Sequence, residues 1–289
     1  MEINGKKISK TIEAVLKKEV KKISKKEKLK LVVFLVGSSP DQLSFVKIKA
    51  KTASRLGIKF EFIHFKETPM FEEFMHKIKI KSLDKTVTGI IIQQPLPAQL
   101  STESIYEYID TAKEIEGHKR KTPFYPPIGL AVLTILKHVF SANREITKNL
   151  LIDWSKDRRF FKYALRNKKI VLVGRGLTGG GPIGKTLSEA RINYIGINST
   201  TPEPESYYRE ADVIITAVGN KVLLPQFLKP GVILINVGVR KEKGSLKGDY
   251  DAKEVKNIAG YYTPTPGGIG PIDVLYLYKN LLDGAKLKR

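Results

Sequence analysis

The feature that most constrains this chain is a rhythm: short apolar runs, each stopped by glycine or proline, alternate with stretches of helical periodicity. "KLVVFLVG" (30–37) reads as a buried strand, and Asp41 to Gly57 follows as a helix. "IKFEFIHF" alternates like a strand, "MFEEFMHKIKIKSL" is helical, and "TGIIIQQPLP" is a strand halted by prolines. The rhythm restarts with "KKIVLVG" (168–174), a helix over "IGKTLSEARI", and strands in "NYIGIN", "ADVIITAVG" and "GVILINVG". Strands separated by helices cannot pair through tight turns, so each crossover returns the chain parallel to the strand before it. The expected fold is α/β, with two βαβ-type domains built on parallel sheets. Their boundary is expected in "TPFYPP", near Pro123 to Pro127, giving domains 1–122 and 123–270. Segment 139–167 fits neither pattern and reads as a helical connector or insertion. An amphipathic helix opens the chain, with Ile12, Leu16, Val20 and Ile23 at helical spacing.

At 289 residues the chain is long enough for two cores. No apolar run approaches the roughly 18 residues of a membrane span, and the charged N-terminus lacks the apolar centre of a signal peptide. The absence of cysteine excludes disulfides, thiolate nucleophiles and cysteine metal sites. A cytoplasmic enzyme without a metal is the expectation. The formal net charge of +22 raises the question of nucleic acid. Yet the lysines are spread over solvated stretches such as "KKEVKKISKKEKLK", and no zinc-finger or RNA-binding signature appears, so a nucleic-acid partner is not expected.

"VLVGRGLTGGGPIGKTL" places Gly174, Gly176 and Gly179 in G-x-G-x-x-G spacing between a strand and a helix. Glycines there allow a tight turn and close approach of backbone N–H groups to a pyrophosphate at the helix N-terminus. Gly180 continues the turn, Pro182 suits the first helical turn, and Gly219 closes a later strand of the same sheet. The second strand ends in Asn198, Ser199 and Thr200, without the carboxylate that holds an NAD ribose. Arg175 inside the turn offers a guanidinium to a phosphate. Both features favour NADP over NAD.

Lys47, Lys49 and Lys51 alternate along the helix after the first strand. At roughly 100° per residue, Phe45, Ile48, Lys49, Thr52, Ala53 and Leu56 share one broad face. Lys47 and Lys51 fall on the other. Lys49 is thus either a partly desolvated base or a packed stem whose amine snorkels to water.

Several motifs resemble the bifunctional methylenetetrahydrofolate dehydrogenase/methenyltetrahydrofolate cyclohydrolase family, nearly end to end. "INGKKIS" is similar to its start, and "VGSSPDQLSFVKIKAKTASRLGI" resembles its Tyr-Val-x-x-Lys helix. "GIIIQQPLP" resembles its Q-L-P-L-P, "KEIEG" (113–117) its K-D-V-D-G, and "VGRGLTGGGP" its V-G-R-S-x-x-V-G-x-P. "NST" stands at its C-H-S, and "TPTPGGIGPIDV" (263–274) at its P-x-P-G-G-V-G-P loop.

The resemblance implies NADP-dependent oxidation of 5,10-methylenetetrahydrofolate, then hydrolysis of the methenyl product to 10-formyltetrahydrofolate. In those terms Lys49 is the catalytic lysine, Gln93 its orienting partner, and Glu116 the pterin-binding carboxylate. Phe45, Pro266, Gly267, Gly268 and Asp273 would line the folate site. The folate is expected between the two domains, the final helix (271–289) back on the first domain, and the protein as a homodimer.

The chain also departs from the family pattern. Phe45 replaces the tyrosine, Glu114 and Glu116 replace two aspartates, Asp273 replaces a threonine and Asn198 replaces a histidine. The missing hydroxyl and the added acid of Asp273 motivate an alternative, a dehydrogenase with weakened hydrolysis or a modified pterin substrate. A non-catalytic nucleotide- or nucleic-acid-binding protein is a remoter reading, opposed by the retained Lys49, Gln93 and Pro-Gly-Gly loop.

Overall fold

The computed structural model describes residues 1–142 and 146–287. By contacts the chain divides into two compact units, one of residues 13–127 with those from Val274 onward, the other of residues 1–12 with 128–273. Both terminal helices cross this division. Helix α1 (Gly5–Ile23) buries Ile8, Ile12, Leu16, Val20 and Ile23, an apolar stripe at helical spacing. The first twelve residues depart from the expected 1–122 domain for a reason of hydrogen bonding. Ile3 N donates to Tyr262 O at 2.8 Å and Tyr262 N to Met1 O at 3.1 Å, so the chain start extends a sheet of the 128–273 unit.

In the 13–127 unit, β1 (Lys30–Val36) leads through α2 (Pro40–Leu56) to β2 (Lys59–Phe65), then through α3 (Phe71–Leu83) to β3 (Gly89–Ile92). The strands are parallel in the order β2-β1-β3, with Val33 opposite both Phe62 and Ile91. The central β1 is flanked on both edges and buries Leu31 to Val36, which is why its sequence is an unbroken apolar run. Phe34, Phe74, Ile78, Ile90 and Ile92 form the core between sheet and α3. Helix α2 stops at Gly57, whose φ of 78° is left-handed and lets Ile58 N close on Ala53 O at 2.9 Å.

The 128–273 unit opens with α4 (Pro127–Phe140), a buried apolar helix begun by the last proline of "TPFYPP". The 139–167 segment is ordered where it is described. It carries α5 (Trp154–Ala164), and residues 143–145 lie outside the described residues. Asp157 on α5 meets Lys137 on α4 at 2.6 Å, with both side chains largely buried, and Phe161 is buried beside Trp154. The connector is therefore a packed helix.

Next come β4 (Ile170–Val173), α6 (Gly180–Glu189), β5 (Ile195–Ile197), α7 (Pro204–Glu210), β6 (Val213–Thr216) and β7 (Ile233–Asn236). A hairpin of β8 (Arg240–Glu242) and β9 (Ser245–Lys247), then α8 (Ala252–Val255) and β10 (Tyr261–Tyr262), complete the unit. Its parallel sheet runs β10-β7-β6-β4-β5. The chain leaves β4 for one neighbour, β5, and crosses back to the other, β6, so the order reverses beside the glycine turn. Open α/β sheets bind ligands at such switch points.

Helix α9 (Gly270–Leu287) closes the fold, and Lys288 and Arg289 lie outside the described residues. Its residues from Val274 join the 13–127 unit. Tyr278 OH donates to Lys49 O at 2.6 Å, and Asn280 Nδ2 donates to Ile115 O at 2.8 Å. No helix among the described residues is long and apolar enough to cross a membrane.

Candidate active site

Lys49 sits midway along α2 and is only 9% exposed, whereas Lys47 and Lys51 are exposed. The buried face of α2 is Gln42, Val46, Lys49, Thr52, Ala53 and Leu56. This corrects the expected face at two positions. Phe45 is 51% exposed, and Ile48 is exposed as well, because the buried stripe runs through 42, 46, 49, 53 and 56 and leaves 45 and 48 at its margin. The two apolar side chains, one turn apart, flank the buried lysine as an uncovered surface.

Lys49 Nζ donates to Gln93 Oε1 at 2.6 Å. Gln93 follows the last residue of β3, and its backbone still pairs with Phe34 O of β1 at 2.9 Å. Its Nε2 donates to Gln94 O at 2.9 Å, which turns the amide oxygen toward the lysine. Gln93 is 8% exposed, so both ends of this contact are out of bulk water.

The two glutamates of "KEIEG" have different environments. Ile90 N donates to Lys113 O at 2.8 Å, and Glu114 bridges in parallel to Ile90. Glu116 follows two residues later, in the turn that ends this segment. Glu114 is buried and accepts the backbone N–H groups of Glu116 and His118 at 2.9 Å and of Lys119 at 3.3 Å, fixing the turn. Burial raises its carboxyl above the ordinary range. Glu116 instead feels the charge of Lys49. Burial pushes its carboxyl up to about 7, with the Lys49 ammonium pulling the other way. The carboxylate whose charge bears on Lys49 is thus Glu116.

Around this pair the structure adds residues that the sequence did not single out. Gln94 Nε2 donates to Tyr106 OH at 2.8 Å, the Tyr106 ring stacks on His118 at 4.4 Å, and His118 Nε2 lies 3.8 Å from Glu116 Oε2. Gln94 neighbours a motif residue, but nothing in the spacing of Tyr106 or His118 marks them.

In the 128–273 unit the glycine turn is built by close approach. Gly174 has φ of 104°, and a Cβ there would sit 2.7 Å from Ala217 O. A Cβ on Gly180 would fall 2.0 Å from Gly174 O, so α6 starts directly against the end of β4. Gly179 is the N-cap of α6 and Pro182 lies in its first turn, three residues earlier than the predicted start at Ile183. A Cβ on Gly176 would meet nothing within 4 Å, leaving open space above the turn for a ligand.

A cleft of about 410 Å³ lies here, lined by Gly174, Arg175, Gly180, Gly181, Tyr194 and Gly196 among others. Arg175 is exposed, and its Nη2 donates to Gly196 O at 3.1 Å, holding the guanidinium at the end of β5. Asn198 Oδ1 accepts from Thr200 N at 3.1 Å and Thr200 Oγ1 at 2.9 Å, and Ser199 is exposed beside it. Tyr194 as a cleft wall was not foreseen, because its position before β5 carries no motif. A cradle that a Cβ would fill, with open space over Gly176 and a guanidinium at its rim, fits a phosphate-bearing dinucleotide.

Gly219, with φ of 79°, closes the neighbouring loop. Val218 N and Gly219 N donate to the two oxygens of buried Asp249 at 2.9 and 2.8 Å. Burial raises the Asp249 carboxyl, and those amides pull the other way. The Pro-Gly-Gly loop is held from below, where Asn236 Nδ2 donates to Thr265 Oγ1 at 2.7 Å and to Gly238 O at 2.7 Å. Gly267 has φ of 104° beside the Lys6 stem, and Gly268 packs so closely that a Cβ on Gly5 would lie 1.9 Å from its oxygen. Pro266 precedes them. Asp273 falls in the first turn of α9, where the helix N-terminus favours a carboxylate.

Residues 3–116 match the tetrahydrofolate dehydrogenase/cyclohydrolase catalytic domain, and residues 159–289 match the NAD(P)-binding domain of the same family. The bifunctional protein FolD of Staphylococcus carnosus is 32% identical over 99% of this chain and 97% of its own length. The crystal structure of the bifunctional FolD methylenetetrahydrofolate dehydrogenase/cyclohydrolase from Campylobacter jejuni has a TM-score of 0.85. It is 29% identical and covers 100% of this chain and 99% of its own. A 5,10-methylenetetrahydrofolate dehydrogenase from the silkworm Bombyx mori superposes with a TM-score of 0.82 at 26% identity, over 99% of this chain and 98% of its own. Paired strand-end glutamine and buried lysine, the glycine turn and both domain matches lead to one conclusion: the chain belongs to the tetrahydrofolate dehydrogenase/cyclohydrolase family.

Proposed function

We propose that this protein oxidises 5,10-methylenetetrahydrofolate with NADP and hydrolyses the resulting 5,10-methenyl cation to 10-formyltetrahydrofolate. The observation that carries this reading is the buried 2.6 Å contact between Lys49 and Gln93, with Glu116 facing the same ammonium. The bound nicotinamide supplies a hydride acceptor, so the oxidation needs no protein nucleophile.

The turn from Gly174 to Gly180, with Pro182 in the helix start, holds the pyrophosphate. Arg175 and Ser199 hold the ribose phosphate, and Gly219 shapes the next loop. With Asn198, Ser199 and Thr200 following β5 in place of a carboxylate, the strand end suits a 2′-phosphate, which favours NADP over NAD.

For hydrolysis, water adds to the methenyl carbon and Lys49, as the free amine, takes its proton. The carbinol O–H then becomes the formyl C=O as the ring C–N bond breaks: the departing nitrogen takes a proton back from Lys49, and the hydroxyl proton passes through the freed amine to solvent, so one proton is released in all. An amide oxygen orients Lys49 without the full charge that would pin it as ammonium, so Gln93 suits this role better than a carboxylate. Glu116, ionised, accepts the amide and amino hydrogens of the pterin. Phe45 stacks on the aminobenzoyl ring from its exposed position beside Lys49, and Pro266, Gly267, Gly268 and Asp273 complete the folate-binding set.

The family resemblance also supports a homodimer, and the cysteine-free composition fits the cytoplasm. Light scattering should give twice 32.4 kDa. The reading is tested by mixing protein with methylenetetrahydrofolate and NADP or NAD, following reduced cofactor and methenyl absorbance together. Reduction of NADP without methenyl accumulation is expected, and no reduction of either cofactor would overturn it.

A further inference from the structure

Six residues close a polar circuit around the Lys49 amine. Lys49 donates to Gln93, Gln93 to the backbone of Gln94, and the Gln94 side chain to Tyr106. Tyr106 stacks on His118, His118 approaches Glu116, and Glu116 faces Lys49 again. The mechanism above uses Lys49, Gln93 and Glu116 and leaves His118 without a task.

We propose that His118 is a positioning residue of the folate site, holding the Glu116 carboxylate for the pterin and competing with Lys49 for its charge. This rests on the functional reading given above.

Three observations carry it. First, the imidazole is fixed in orientation. Its ring lies 21° from the plane of Tyr106 at 4.4 Å, and its own backbone N–H is bound by Glu114 Oε2 at 2.9 Å. Second, the ring nitrogen Nε2 meets one carboxylate oxygen, Oε2, at 3.8 Å. That is a charge contact rather than a hydrogen bond, so Glu116 keeps its lone pairs for another donor. Third, the carboxylate has a conflict to resolve. An anion facing Lys49 favours the ammonium, which cannot take a proton from water, yet the pterin needs that same anion. A second cation on Glu116 keeps it ionised without asking Lys49 to supply the charge.

The titratable groups facing Glu116 are Lys49 from α2, Tyr106 from the 103–108 turn, and Glu114 and His118 from its own loop. Tyr106 is raised by burial and by the glutamates, and stays neutral. Glu114 accepts backbone amides, and the His118 charge also bears on it. Among these groups, His118 and Lys49 are the ones that can carry positive charge.

The test compares His118→Phe, which keeps a flat ring on Tyr106 without a nitrogen, with His118→Lys, which restores a positive charge. In His118→Phe, KM for methylenetetrahydrofolate should rise on the order of ten-fold, while dehydrogenase kcat and KM for NADP hold within about two-fold. The pH profile of methenyltetrahydrofolate hydrolysis should also move to higher pH, because Lys49 then holds its proton against Glu116 alone. His118→Lys should recover most of the folate KM. Wild-type KM and pH profile in His118→Phe would overturn the inference, and so would a Lys variant as impaired as the Phe one. Failure of the wild type to oxidise methylenetetrahydrofolate at all would overturn the functional reading and this inference together.

Discussion

The lysine site and the glycine turn both lie at the carboxyl ends of parallel strands, yet they are made of different material. The lysine site is built from long polar side chains on three separate segments, Lys49, Gln93 and Glu116, held by contacts such as the 2.6 Å bond between the first two. The glycine turn is built from backbone, and its defining property is the absence of side chains, with no room for a Cβ at Gly174 or Gly180. Under the proposed function, one site holds protons and charges in restricted solvent, and the other lets N–H groups come close to a phosphate. Substitutions should therefore fail in different currents of chemistry, rate and pH dependence in the first case, cofactor affinity in the second.

The largest effect expected is at Lys49. Lys49→Met should lower methenyltetrahydrofolate hydrolysis by roughly 10²–10⁴-fold, the usual worth of a general base, while leaving NADP binding intact. Full retention of hydrolysis would break the comparison, because the side-chain site would then have no chemical centre.

Next comes Gly180→Ala, whose Cβ would meet Gly174 O at 2.0 Å. It should raise KM for NADP at least about ten-fold, from a backbone shift costing roughly 1–3 kcal/mol. Hydrolysis of supplied methenyltetrahydrofolate, which needs no cofactor, should change far less. Gly176→Ala, facing open space, should leave protein stability nearly unchanged and serves as the contrast.

Glu116→Gln sharpens the electrostatic side. In the folded protein this carboxyl titrates at about 7, against an ordinary value of 4.5. The unfolded chain therefore gives up its proton first as pH rises. The stability of the neutral buried form is full below 4.5 and is lost as pH climbs through 7. The Gln variant should be more stable than wild type at pH 8, by on the order of 2 kcal/mol, and equal to it near pH 4.5. Urea midpoints at the two pH values decide this. Folate KM should rise in the same variant, because an amide cannot accept both pterin donors.

The smallest effect expected is at Phe45. Phe45→Tyr restores a hydroxyl beside Lys49 and should speed hydrolysis by about two- to three-fold with little change in dehydrogenation. No gain would mean that the missing hydroxyl does not limit the second step.

Legibility in the sequence followed the same division of material. The strand rhythm and the glycine turn could be read directly, since a backbone site depends on local geometry that residue types announce. Helix α4 was missed because "TPFYPP" reads as a break, while its last proline in fact starts the helix. The connector reads as helical or as an insertion from sequence, but its packing is not legible there, because Lys137 and Asp157 lie twenty positions apart and their pairing follows from packing rather than periodicity. Periodicity sets Phe45 on the same broad face as Lys49, but such a stripe has two margins, and only the packed neighbours decide which margin is covered.

By itself the sequence determined the α/β class and the glycine turn at Gly174 to Gly180, and the resemblance pointed to Lys49 and Gln93. Those are properties of short segments, where turn chemistry and hydrophobic period act within a few residues. Only the tertiary structure decided that Glu114 is consumed by its own turn while Glu116 faces Lys49, and that Tyr106 and His118 join them. Two glutamates one residue apart look alike in sequence. What separates them is which strand end they stand beside and how much water each has lost, and those are set by segments distant along the chain.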